Sequence, residues 1–169
     1  MKTVQFDRVL AFYPHARGFA YVVFDGPNIP ADWGMSDRRR DRAPVSIAEQ
    51  LGGLLDESCP RILVLRRLTT STGARRSVEL LRIMIDLARR KNIATGMISR
   101  ENIQETFEHL LSPTREMIAR DIAARIPTLA AFLPEPRKIW NGEDRRMGLF
   151  DAAALGLTHF ATSSGSNRA

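Results

Sequence analysis

Short apolar runs broken by polar turns dominate the first third of this 169-residue chain. Residues 9–13 and 19–25 are rich in aromatic and β-branched side chains. They flank Pro14-His15-Ala16-Arg17-Gly18, the composition of a hairpin loop, so two paired strands are predicted to open the fold. After the Gly26-Pro27 break, residues 31–35 are a candidate third strand, followed by a charged loop over 36–43. From Pro44 the pattern turns helical through 56, with Ile47, Leu51, Leu54 and Leu55 on one stripe and proline in the first turn. Residues 61–66, Arg-Ile-Leu-Val-Leu-Arg, are apolar at positions of both parities, as in a central strand covered on both faces and parallel to the first.

A polar connection over 69–74 leads to helical spacing over 78–91, and 93–98 completes a strand–helix–strand unit. Ser99 is placed to cap a helix running to 111. Ser112-Pro113 opens another, which continues to 125 and which Pro127 is expected to stop. Residues 133–142 read as an irregular connector. A last helix over 143–160 is apolar almost all round, which predicts an interior position. One domain over 1–162 and a disordered Ser/Gly-rich tail over 163–169 are expected.

Charge adds a partner class. Lys and Arg number 25 against 19 Asp and Glu, a formal charge of +6, and every cation except Lys2, Lys91 and Lys138 is arginine, whose planar fork suits phosphate. The cations fall in clusters spread over several elements: Arg38-Arg39-Arg40 with Arg42, Arg66-Arg67, Arg75-Arg76, Arg89-Arg90-Lys91, Arg137-Lys138 and Arg145-Arg146. A solvated charged surface accounts for part of them. Nucleic acid is the anionic partner such scatter suits. Cys59 is the only cysteine, which excludes an internal disulfide and any multi-cysteine zinc site and makes a reducing cytoplasm the expected home. No apolar stretch is long enough to span a membrane.

Three segments narrow the reading. The first strand and loop are Val9-Leu10-Ala11-Phe12-Tyr13-Pro14-His15-Ala16-Arg17-Gly18; the fourth strand is Pro60-Arg61-Ile62-Leu63-Val64-Leu65-Arg66; the last helix contains Phe150-Asp151-Ala152-Ala153-Ala154-Leu155-Gly156-Leu157-Thr158-His159. In order and spacing they resemble the RuvC-type Holliday-junction resolvases of the RNase H-like superfamily. That family's first strand ends in an Ile-Asp-Pro-Gly-Ser-type motif, its fourth in Ile-Glu, and its last helix carries Asp-Ala-x-Ala-x-Ala-x-x-His. The resemblance implies an RNase H-like α/β fold with a mixed five-stranded sheet, a three-strand antiparallel meander plus parallel strands, flanked by helices. It further implies a homodimer, branched or structured DNA as partner, and Mg²⁺ or Mn²⁺ as cofactor of a catalytic member.

The chain departs from that pattern at the site. Tyr13 stands at the position of the first catalytic Asp, Arg66 at that of the Glu, and Gly148 where an acid or His sits three residues before Asp151. Two metal ions need several oxygen ligands held at once, and Asp151 alone does not supply them. Arginine in place of Glu repels a metal and attracts phosphate, so one expectation is a site converted from holding metal to holding phosphate. The alternative is a metal-dependent endonuclease rebuilt from Asp151 with Asp144 and Glu143, or with Asp25. On a continuous helix Asp144 falls on the same face as Asp151, two turns earlier; Glu143 and Asp144 are more simply explained as first-turn acids that complement the helix dipole. A third alternative is an interaction module without nucleic acid.

Asp151 sits in an apolar run and needs a partner, either a metal or an arginine such as Arg66. The candidate DNA contacts are Arg17, Arg38, Arg39, Arg40, Arg66, Arg75, Arg76, Arg115, Arg145 and Arg146. Arg115 would take the place of a lysine in the family's Thr/Lys-rich helix start. His15, His159, Tyr13, Trp33 and Trp140 each have a packing or solvent-exposed reading beside a functional one.

Overall fold

The structure, a computed structural model, describes residues 5–37, 46–68, 75–136, 138, 140 and 142–166. Arg38, Arg39, Arg40, Arg42 and Arg137, the proposed helix start at Pro44 and the 69–74 connection lie outside them. Five strands, β1 (Val9–His15), β2 (Gly18–Gly26), β3 (Ile29–Asp37), β4 (Ile62–Arg66) and β5 (Ala94–Ile98), form one sheet in the order β3-β2-β1-β4-β5. β1, β2 and β3 are an antiparallel meander, whereas β4 runs parallel to β1 and β5 parallel to β4. This is the mixed sheet the sequence predicts. β3 is longer than expected and takes in Ser36 and Asp37, which the sequence assigns to a loop; they pair with Phe19 and Gly18 of β2. Gly18 is required there, since a Cβ would lie 2.0 Å from the Ser36 carbonyl oxygen.

Strand alternation divides the core in two. On β1, Leu10 and Phe12 point to one face with Leu63 and Leu65 of β4, where helices α1 (Ile47–Ser58) and α2 (Arg75–Arg90) cover them with Leu51, Leu55, Leu80 and Met84. Val9 and Ala11 point to the other face with Val64, under α3 (Arg100–Thr106), α4 (Arg115–Arg125), α5 (Pro127–Ala130) and α6 (Met147–Ser166). Ser46 caps α1 in a reciprocal capping box with Glu49. Arg75 and Arg76 already lie in α2, three residues before the expected start. Ser99 caps α3, which gives way to a 3-10 turn at Glu108–Leu110, and Thr114 caps α4. Pro127 opens the short α5 in addition to ending α4, because a proline at N1 has no N–H to leave unpaired.

α6 is the spine of the second layer. Residues 152–158 are all buried, and at Gly156 the helix approaches β2 so closely that a Cβ would sit 2.4 Å from the Phe24 ring. It starts at Met147 and not at Glu143. The Asp144 carboxylate accepts the Arg146 backbone N–H at 2.9 Å, and the Met147 N–H donates to the Asp144 carbonyl, so 144–146 form a side-chain-stabilised turn. At its other end α6 continues past the expected limit at Phe160 to Ser166, through residues 163–166 of the expected tail; 167–169 are outside the described residues. No helix among the described residues is long and apolar enough to cross a membrane.

Candidate phosphate-holding site

The register of β1 against β4 sets Phe12 opposite Leu65, so the next residues along, Tyr13 and Arg66, lie side by side in the sheet. Alternation sends both to the α6 face. There the Arg66 Nη1–H donates to the Tyr13 hydroxyl at 3.4 Å. Asp151, in the second turn of α6, faces the same space, and its partner is Arg115, the first residue of α4. The Arg115 Nε–H donates to the two Asp151 oxygens at 2.9 and 3.0 Å, Nη2 donates to Oδ2, and Nη1 pairs with Glu143. Asp151 therefore has the arginine partner that its apolar surroundings demand, and that arginine is Arg115, not Arg66.

Electrostatics follow from burial. Burial pushes the Asp151 carboxyl above its ordinary range, against the pull of the Arg115 hydrogen bond and charge and of Arg66. For the Arg115 guanidinium burial works downward, but the hydrogen bond and charge of Asp151 prevail and hold it above its ordinary value. Burial, reinforced by the Asp151 charge, raises the Tyr13 phenol, which is neutral at physiological pH. Arg66 thus presents its charge against a neutral hydroxyl, while Arg115 presents its charge between two carboxylates.

A small cavity of about 50 Å³ is lined by Tyr13, Arg66, Arg115 and Asp151. A second, of about 150 Å³, shares Tyr13 and Arg115 with it and runs to His15, Arg17 and Gly148. A Cβ on Gly148 would lie 3.5 Å from the His15 ring, so His15 occupies space where a side chain at 148 would project. The second cavity shares His15, Arg17 and Arg145 with a cleft of about 610 Å³.

The other candidates divide. Arg145 lines the cleft but is tied to Asp37 of β3 at 2.7 Å, a pair distant in sequence that no local pattern signals. Arg146 is tied to Asp144, whose carboxyl it holds below the ordinary range. With α6 starting at Met147, Asp144 is not on a helical face with Asp151, and the two-turn argument does not hold. Asp25 belongs to the far end of β2, beside Val9's partner Phe24, where Arg8 holds it at 2.6 Å; it is not part of the site. Arg17 is exposed at the cleft rim, and Arg75 and Arg76 are exposed in the first turn of α2. Trp33 packs edge-on against Phe132, and His159 lies against Phe160 on α6.

These residues do not fit a two-metal centre. The described residues contain no group of three or more His, Cys, Asp or Glu side chains placed to share an ion. At two positions where the resemblance calls for oxygen ligands stand a phenol and a guanidinium, and both oxygens of Asp151 are engaged by Arg115.

No protein-family model matches the sequence, and no curated protein matches it. Solved structures do. Thermus thermophilus RuvC in complex with Holliday junction substrate superposes with a TM-score of 0.68 at 14% identity, covering 95% of this chain and 97% of that one. The fold is that of the RuvC-type resolvases. The yeast mitochondrial Holliday junction resolvase aligns with a TM-score of 0.63 at 15% identity over 96% of this chain and 83% of its own. The fowlpox virus resolvase aligns at 0.56 and 10%, over 92% and 99%. At these identities the likeness is one of fold.

Proposed function

We propose that this chain is a RuvC-like DNA-binding protein that engages branched or otherwise structured DNA through its phosphates and has lost most or all metal-dependent nuclease activity. The observation that carries the reading is the constellation of Tyr13 on β1, Arg66 at the end of β4, Arg115 on α4 and Asp151 on α6. Arg66 stands there, where a nuclease of this fold would place a carboxylate, and a guanidinium attracts a phosphate and repels Mg²⁺. Arg75 and Arg76 support the same reading: two exposed cations oppose the positive end of the α2 dipole, with no acid in that turn to offset them. Assembly as a homodimer belongs to the proposal and is read by sedimentation equilibrium.

A metal-dependent endonuclease is the second reading. It is favoured by one observation: Glu143 and Asp151 converge on the same guanidinium, so withdrawal of Arg115 would leave two carboxylates facing one space. The proposal is tested by junction binding at several salt concentrations. Affinity is expected to fall steeply with salt, and Arg66→Ala to reduce the slope of log K against log salt by roughly one. Salt-independent behaviour, or no retention of DNA, would move the protein to the interaction-module class.

A further inference from the structure

Trp140 is not used by the phosphate-holding constellation. Its side chain is 79% exposed, although an indole is among the largest apolar groups a core can bury, and the chain's other tryptophan, Trp33, packs against Phe132. Trp140 lines a cleft of about 570 Å³ between the start of α4 and the segment leading into α6, with Leu133, Pro134 and Met147 as apolar wall. That volume falls within the roughly 300–1,000 Å³ of small-molecule pockets. The cleft shares Arg115 and Glu143 with the constellation around Asp151, so a strand held at one reaches the other. The Lys138 ammonium lies 5.7 Å from the Trp140 ring centroid and places a positive charge beside the ring.

The charges of the cleft decide the class of guest. Among the described residues lining it, the cations Arg115, Arg120, Lys138 and Arg146 face as many carboxylates, Glu116, Glu135, Glu143 and Asp144. A balanced rim does not select an anion. Together with an apolar wall and an exposed aromatic face, it suits a flat, neutral group with hydrogen-bond donors and acceptors on its edge. We propose that this cleft receives an unpaired nucleobase of bound DNA, stacked on Trp140 and presented when the flanking phosphate is held at Arg66.

The inference rests on the DNA-binding reading, and the experiment separates the two. The probes are a duplex with a single bulged 2-aminopurine and a fully paired duplex carrying the same base, titrated with wild type, Trp140→Ala and Trp140→Phe at fixed low salt. Wild type is expected to prefer the bulged duplex by about tenfold and to quench its 2-aminopurine, since one base–aromatic stack contributes about that much. Trp140→Ala, unchanged in thermal midpoint because the ring is exposed, loses the preference and the quenching and keeps its affinity for paired duplex; Trp140→Phe retains most of both. Preference and quenching that survive in Trp140→Ala overturn the inference, as does wild type that binds paired duplex without preferring the bulge. Wild type that binds neither DNA overturns the DNA-binding reading and this one with it.

Discussion

Removing the Arg115 side chain tests the arrangement around Asp151. The Asp151 side chain is 16% exposed and lies in a helix whose next seven residues are buried, so in Arg115→Ala a charged carboxylate loses its hydrogen-bonded partner and keeps the charge of Arg66. Breaking a fully buried pair from one side costs about 3–5 kcal/mol. Arg115 is 37% exposed and water can follow its truncation, so the expected loss is about 2–3 kcal/mol at neutral pH. The sign of the pH dependence is fixed. Without Arg115 the folded-state pKa of Asp151 rises further above its unfolded value, so the folded state prefers the protonated acid. The deficit is then greatest above the folded pKa and shrinks as pH falls through it. Asp151→Asn is the second single variant, and Arg115→Ala combined with it removes both charges and is expected to recover at least half of the loss, a coupling of about 1–2 kcal/mol. Urea unfolding of the four proteins at two pH values measures these quantities. A deficit under about 0.5 kcal/mol for Arg115→Ala, or a double variant no more stable than the sum of the singles predicts, would refute the pairing as the reason Asp151 is tolerated.

At Gly156 an added methyl must displace the Phe24 ring, so Gly156→Ala is expected to lower stability by about 1–3 kcal/mol despite the better helix propensity of alanine; an unchanged or raised thermal midpoint contradicts it. Burial holds His159 below the ordinary imidazole value, and it does the same for His15. Their folded states therefore favour the neutral ring, with stability full above about pH 6.5 and lost as pH falls from there toward the folded values. Between about pH 7.5 and pH 5.5 the urea midpoint of wild type should drop more than that of His159→Gln, and equal drops would contradict the assignment.

Much of this architecture was legible because its signals are local. The two-sided apolarity of β4 announced a central strand, the aromatic and β-branched runs of β1 and β2 announced a hairpin, and the all-round apolar character of α6 announced a buried helix. Parity also put Tyr13 and Arg66 on one face once β1 and β4 were paired in parallel. The start of α6 was misread because Glu-Asp-Arg-Arg carries good helix propensity, whereas the Asp144 side chain satisfies the Arg146 N–H in a turn; an Asp two residues before that N–H was the available signal. The partner of Asp151 was not legible. Arg66, Arg115 and other cations compete equally on composition, and the choice of Arg115 depends on where α4 docks against α6, 36 residues apart in the chain. The same holds for Arg145 and Asp37, separated by 108 residues. Sequence identified the chemistry available to the site, and tertiary packing assigned the partners.

The central claim is that arginine has replaced metal at the site of a resolvase fold. Its most direct measurement mixes the purified protein with a labelled four-way DNA junction at low salt, in Mn²⁺ or in EDTA, and follows complex and cleavage products in the same samples. The account predicts a complex of equal affinity in both conditions, weakened by Arg66→Ala, and no nicked product. Symmetric nicks that appear with Mn²⁺ and vanish in Asp151→Asn would contradict it, showing that Asp151 and its neighbouring carboxylates still hold catalytic metal.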